Sequence, residues 1–219
     1  MSEPSRIFLV DDHPLVREWL TTLINREPNL KVCGEAEDVS QAVRGIVASK
    51  PDVAIIDISL KGGSGLELIK SIKVQMPQVA VIVLSMHDEK LYAERSIRAG
   101  ARGYVMKRET TKRIINAIRQ VLLGKLCVSE QMVTALAQKF ISGQHVDSVS
   151  PIEHLSDREL EVFNLLGQGL ETRQIADTLN ISIKTVQAYC ARIKEKLNLS
   201  SAAELLREAI RSHELEAKT

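Results

Sequence analysis

The sequence predicts a doubly wound α/β domain with a five-stranded parallel sheet over residues 4–125, followed by a small all-α domain over residues 153–215. Three observations predict it. Five short apolar runs alternate with amphipathic stretches through the first 125 residues, the rhythm of βα units. The runs are apolar at successive positions, as strands covered on both faces must be. Beyond them no convincing strand follows, and apolar residues recur only at helical spacing.

The elements follow in order. IFLV at 7–10 reads as a buried strand, and Asp11 and Asp12 stand where it leaves the core. Leu15, Val16, Trp19, Leu20, Leu23 and Ile24 form the apolar stripe of a first helix, with Trp19 expected in the core. LKVCGEA at 30–36 is the second strand, and Ala42, Val43, Ile46 and Val47 mark the helix after it. VAII at 53–56 leads to Asp57, VAVIVLS at 79–85 closes on Ser85, and ARGYVM at 101–106 leads to Lys107. Ile114, Ile115, Ile118, Val121 and Leu122 repeat at helical spacing. Crossovers between parallel strands should be right-handed.

Residues 126–152 read as a connecting segment: a helix over 129–141, then the polar, Ser-rich linker SGQHVDSVSP at 142–151. Four helices are expected after it, at about 157–168, 171–179, 182–196 and 200–211. Ser156 with Glu159 three residues on is a capping box. Asn180 and Ile181 make a turn, and Ser182 can cap the next helix.

Composition narrows the class. Apolar residues make up 44% and charged residues 26%, ordinary for a globular chain, while aromatics at 3% leave the core to aliphatic side chains. No apolar run approaches the roughly 18 residues of a membrane span. MSEPSR carries no apolar stretch of a secretory signal. Cys33, Cys127 and Cys190 are odd in number and form no zinc or CxxC pattern, which fits a reducing, cytoplasmic setting. Net charge is +1; residues 1–150 hold 20 basic against 17 acidic side chains, and residues 151–219 hold 9 against 11. Polyanion binding by the second part must therefore come from local clustering.

In a doubly wound sheet the ligand site lies beyond the carboxyl ends of the strands. With strand order 2-1-3-4-5, Asp11, Asp12 and Asp57 converge from neighbouring strands. Three carboxylates suit a hard divalent cation such as Mg²⁺, which would offset their mutual repulsion. Ser85 and Lys107, at two further strand ends, supply a hydroxyl and an ammonium for the oxygens of a phosphoryl group. The central Asp57 is placed as nucleophile, giving an aspartyl-phosphate.

The set VDD, IID, VLS and GYVMK, in this order and spacing, resembles the receiver domain of bacterial two-component response regulators, a flavodoxin-like fold. The resemblance implies that Asp57 accepts phosphate from a histidine kinase. It implies Asp12, Asp57 and the Ser59 carbonyl as direct Mg²⁺ ligands, with Asp11 acting through water. It implies Lys107 as phosphoryl clamp, and Ser85 and Tyr104 as a switch pair in which Tyr104 rotates inward. Two departures concern loop shape: LKGGSG stands where the family often has Met-Pro, and Arg108 where many receivers have Pro. Ser59 and His87 border the site. An aspartyl-phosphate hydrolase is the rival reading, but the position of its usual second acid is Ser59. A regulator without substrate turnover is the expectation.

In the C-terminal part, Val186, Cys190, Ile193 and Leu197 form one apolar stripe. Lys184, Gln187, Ala188, Ala191 and Arg192 lie opposite, small or polar side chains suited to close approach into a groove. LSDRELEV, IADTLNIS, TVQAY and KLNL resemble the LuxR-type helix-turn-helix of the LuxR/NarL (FixJ) class. That resemblance implies a DNA face with Ser182, Lys184, Thr185, Gln187, Ala188 and Arg192, with Lys194 and Lys196 near phosphates, and homodimers on double-stranded DNA. Gln187 and Tyr189 stand where Lys and His are common, and Glu171, Thr172, Arg173 and Gln174 where Ser-Asn-Lys-Glu is usual. A helical protein-interaction module is the alternative. Together the two resemblances imply a transcription regulator switched by phosphorylation.

Overall fold

A computed structural model describes residues 3–60, 63–86, 89–142 and 151–217. They divide into two compact units, Met1–Thr134 and Ala135–Thr219.

The first unit is built on strands β1 (Ser5–Val10), β2 (Leu30–Ala36), β3 (Val53–Ile56), β4 (Ala80–Ser85) and β5 (Gly103–Met106). All four pairings are parallel, and the order is β2-β1-β3-β4-β5. Helices α1 (Pro14–Asn25), α2 (Val39–Ser49), α3 (Gly65–Gln75), α4 (Glu89–Ala99) and α5 (Thr111–Leu122) alternate with the strands. Strand alternation sorts the core into two layers. Ile7, Leu9, Ile55, Ile82, Leu84 and Val105 pack with Leu20 and Ile24 of α1 and Ile114 and Ile118 of α5. On the opposite face, Phe8 lies so close to Gly34 and Gly45 that a Cβ at either would meet its ring.

Trp19 corrects an expectation: it is 40% exposed, and Leu15 is more exposed still. The helix faces the sheet along Val16, Leu20 and Ile24, and each step along a helix turns the side chain by about 100°. Residues 15 and 19 are therefore turned away from the core, although their spacing fits the apolar pattern. A two-residue hairpin, Ser59–Leu60 against Gly63–Ser64, was not expected. It fills the loop between Asp57 and α3. Gly65 then starts α3 against that loop, where a Cβ would run into the Asp57 carbonyl oxygen and the Ile58 Cα. Gly65 of LKGGSG thus serves close packing beneath the candidate site.

Helix α6 (Glu130–Ser142) follows, and residues 143–150 of the expected linker lie outside the described residues. The second unit has a 3₁₀ turn (Pro151–His154) and helices α7 (Asp157–Gly167), α8 (Thr172–Leu179), α9 (Ile183–Lys196) and α10 (Ala202–Ala217). The Ser156–Glu159 capping box forms as the sequence indicated. Asn180 adopts the left-handed conformation, φ 52°, and so ends α8. Ser182 Oγ accepts the Thr185 N–H at 3.0 Å and starts α9. Leu160, Phe163, Ile175, Val186, Ile193 and Leu205 bury one another. No helix among the described residues is long and apolar enough to cross a membrane.

Candidate functional site

β1, β3, β4 and β5 end at one edge of the sheet, and each delivers a polar side chain there. Asp11 and Asp12 follow β1, Asp57 follows β3, Ser85 is the last residue of β4, and Lys107 follows β5. Their positions are fixed by the ladders. The Asp57 N–H donates to the Val10 carbonyl at 2.8 Å, and the Lys107 N–H to the Ser85 carbonyl at 2.8 Å. Arg17 of α1 donates from Nη1 to the Asp11 carbonyl at 2.6 Å, tying the Asp11–His13 loop to the helix.

The charged groups meet closely. Lys107 Nζ lies 2.6 Å from Asp11 Oδ2 and 2.7 Å from Asp57 Oδ2. One ligand atom from each of Asp11, Asp12, His13 and Asp57 lies within 4.8 Å of all the others. His13 was not singled out in the sequence. Its Nδ1 is 3.1 Å from Asp11 Oδ1 and 2.7 Å from Asp12 Oδ1. No periodicity marks it; its place directly after the two aspartates was the only available signal. Asp12 Oδ1 is buried, and its contact with His13 Nδ1 lies outside hydrogen-bonding geometry. Ser59 lies at the rim, its N–H donating to Asp57 Oδ1 at 3.2 Å. His87 lies outside the described residues.

Burial pushes the Asp57 carboxyl up to about 6, with Asp11 adding to the rise; Lys107 and the Ser59 N–H oppose it. Burial also works against the charge on Lys107, but Asp57 and Asp11 hold its ammonium above the ordinary lysine value. The fold therefore binds a proton on Asp57 more tightly than the unfolded chain does. This contribution is fully present below about pH 4 and is lost as pH rises through about 6. Asp57→Asn is accordingly expected to stabilise the metal-free protein by about 2 kcal/mol at pH 7.5. Denaturant unfolding at both pH values checks this: the gain should vanish at pH 4.

Ser85 and Tyr104 are both buried, Tyr104 at 1% exposure. Tyr104 pairs with Val83, two residues before Ser85, so both side chains leave the sheet on one face. The expected inward rotation of Tyr104 does not start from this structure, which already holds the ring inside.

In the second unit, Lys184, Gln187, Ala188, Ala191 and Arg192 are exposed along one side of α9, opposite buried Val186 and Ile193. Cys190 and Leu197, expected on the buried stripe, are only half-buried. Arg192 lies over the Tyr189 ring, 5.5 Å from its centre. Ser182 and Thr185 share a 2.8 Å hydroxyl contact at the helix start. Lys196, expected near phosphates, has a partner within the domain. Its Nζ lies 2.7 Å from buried Glu159 and donates to the His154 carbonyl at 3.2 Å. Burial raises the Glu159 carboxyl, but Lys196 and Ser156 outweigh it and hold that carboxyl below its ordinary value. Lys196 thus fastens α9 to α7 at the capping box.

Two family models match the chain: the response regulator receiver domain over residues 7–119, and the luxR family of bacterial regulatory proteins over residues 153–209. Oxygen regulatory protein NreC of Staphylococcus haemolyticus (strain JCSC1435) is 34% identical over 210 residues, covering 94% of this chain and 97% of that protein. NreC of Staphylococcus carnosus (strain TM300) is likewise 34% identical over 210 residues, with the same coverage. Among solved structures, RcsB of Salmonella enterica serovar Typhimurium, bound to a promoter in the presence of phosphomimetic BeF3-, is similar with a TM-score of 0.66. It is 26% identical, covering 94% of this chain and 98% of that one. A further Salmonella typhimurium RcsB structure has a TM-score of 0.70 at 27% identity, covering 96% and 98%.

Proposed function

The chain belongs to the response-regulator family, with a receiver domain and a LuxR-type DNA-binding domain, and from that premise we propose that Asp57 is the phosphoacceptor through which a histidine kinase controls transcription. The observation that carries this reading is the Lys107 ammonium held 2.7 Å from the Asp57 carboxylate, beside Asp11 and Asp12 at the carboxyl edge of the sheet. A carboxylate with a pKa of about 6 is mostly ionised at neutral pH, as a nucleophile must be. An Asp57 oxygen forms the O–P bond as the P–N bond of a kinase phosphohistidine breaks and the imidazole leaves. The Lys107 ammonium and the Ser85 hydroxyl stand beside it for the phosphoryl oxygens.

The donor set fits a hard divalent cation. It offers three converging carboxylates, one of them with a buried oxygen whose contact with His13 Nδ1 lies outside hydrogen-bonding geometry. Asp12, Asp57 and the Ser59 carbonyl would hold Mg²⁺ directly, and Asp11 through water. When bound, the ion would neutralise charge on the transferring phosphoryl oxygens.

The receiver is assigned to residues 4–125, the connecting segment to 126–152 and the DNA-binding domain to 153–215. Phosphorylation biases an existing equilibrium through Ser85 and Tyr104 and so favours the dimeric, DNA-binding form. The protein acts in the cytoplasm, on double-stranded DNA, and has no dedicated substrate to turn over. On α9, Lys184, Lys194 and the exposed part of Lys196 would meet phosphates, and Gln187, Ala188 and Arg192 base edges. Ser182 and Thr185 shape the start of the reading helix. A glutamine can read adenine bidentately.

The test is DNA selection followed by salt titration. Gln187→Ala should relax discrimination at one base position by about 1–3 kcal/mol. Lys184→Ala should weaken binding evenly across sequences and lower the salt slope by about one. Failure of the full chain to enrich any sequence would favour a protein-interaction role for the helical domain.

A further inference from the structure

Several helix starts among the described residues are capped by nearby side chains, but one takes half of its cap from another helix. At α7, Ser156 Oγ accepts the Glu159 N–H, and the Glu159 carboxylate accepts the Ser156 N–H at 2.7 Å. At α8, the Glu171 N–H donates to Gln174 Oε1 at 2.8 Å. At α6, Ser129 Oγ accepts the Met132 N–H at 3.1 Å, but a methionine cannot return the bond in that geometry. The Ser129 N–H donates instead to Glu89 Oε1, at 2.8 Å, on the first residue of α4.

The residues just before α6 are tied to the same region. The Cys127 N–H donates to the Arg102 carbonyl and the Tyr104 N–H to the Cys127 carbonyl, both at 2.8 Å. Cys127 thereby pairs beside Gly103 as a parallel bridge on the edge of β5. Arg113 of α5 donates to the Val128 carbonyl at 3.1 Å. Cys127, Val128 and Met132 are buried. All of these contacts lie within the first unit.

Glu89 stands four residues beyond Ser85, across the connection from β4 to α4, and Tyr104 is the second member of the switch pair. We propose that residues 127–132 form a latch, held by Glu89 and the Tyr104 backbone, which phosphorylation of Asp57 tightens. The start of α6, which leads towards the DNA-binding domain, is thereby ordered by the state of the phosphoryl site. This rests on the reading of Asp57 as phosphoacceptor. The direction is inferred from their coexistence: Tyr104 is inside and the latch is closed in the same structure. A displacement of the α4 start by an ångström would carry the Glu89–Ser129 bond beyond hydrogen-bonding distance. Coupling between the two is reciprocal, so loosening the latch must also disfavour the phosphorylated form.

Cys127 is a built-in reporter. In a Cys33→Ser/Cys190→Ser background it is the sole thiol of the full chain. Its modification by a small aromatic disulfide reads latch opening. Acetyl phosphate with Mg²⁺ should slow the modification severalfold. Glu89→Ala should accelerate it roughly five- to tenfold and abolish the phosphate effect, whereas Glu89→Gln, which keeps an acceptor oxygen, should restore most of the protection. Amide exchange at Ser129 and Tyr104 in the unsubstituted chain gives the same comparison without a variant. Phosphate uptake verified by intact mass, with Cys127 and amide rates unchanged, would overturn the latch. So would a Glu89→Ala chain that labels at the parent rate. Absent phosphate uptake alongside Glu89-dependent labelling would instead overturn the Asp57 reading, and the phosphate dependence with it.

Discussion

Asp57→Ala protein is expected to gain no phosphoryl mass from acetyl phosphate and Mg²⁺, under conditions in which the wild type gains one. The effect should be a loss to background rather than a slowing. Among the described residues, Asp57 joins the end of the central strand β3 to a lysine ammonium at 2.7 Å and flanking carboxylates. Asp11 and Asp12 share the pocket, but the Arg17 contact and the β1 ladder fix the loop that carries them. Intact mass spectrometry checks the result, with acid and base lability identifying an acyl phosphate. Equal uptake by Asp57→Ala and wild type would move the nucleophile elsewhere.

Lys107→Ala should carry the largest stability cost at the site. Lys107 bridges two buried carboxylates, and its removal leaves Asp11 and Asp57 facing each other without a cation. Breaking a buried ion pair by deleting one partner costs about 3–5 kcal/mol. The metal-free variant at pH 7.5 should lose stability on that order. Two treatments should return much of it: added Mg²⁺, which binds only the folded site, and Asp57→Asn in the same chain, which removes one of the two charges. Denaturant unfolding of the four combinations gives the coupling directly. An equal loss in the Asp57→Asn background would show that Lys107 acts through packing rather than charge.

Much of this was legible in the residues because the chemistry sits at strand ends. An apolar run ending in Asp11, Asp57, Ser85 or Lys107 announces both a strand and what it delivers. The sheet order then brings those ends together. Elements whose signal depends on tertiary packing were harder to read. Trp19 fits an apolar stripe, yet lies one helical step off the face that meets the sheet. The short hairpin at Ser59–Leu60 and Gly63–Ser64 is too brief to show a period. His13 enters the site through its loop conformation alone. Lys196 counted as part of a basic patch, but its partner Glu159 lies 37 residues away in the chain and appears only in three dimensions.

The central claim is that the phosphoryl state of Asp57 sets DNA binding by α9. The most direct measurement is the affinity of the full chain for its selected DNA site at fixed salt, with and without acetyl phosphate, in wild type and Asp57→Ala. The account predicts that phosphodonor tightens binding in the wild type and leaves Asp57→Ala unchanged. Tightening of equal size in both proteins, or no change in a wild type shown to carry phosphate, would contradict it.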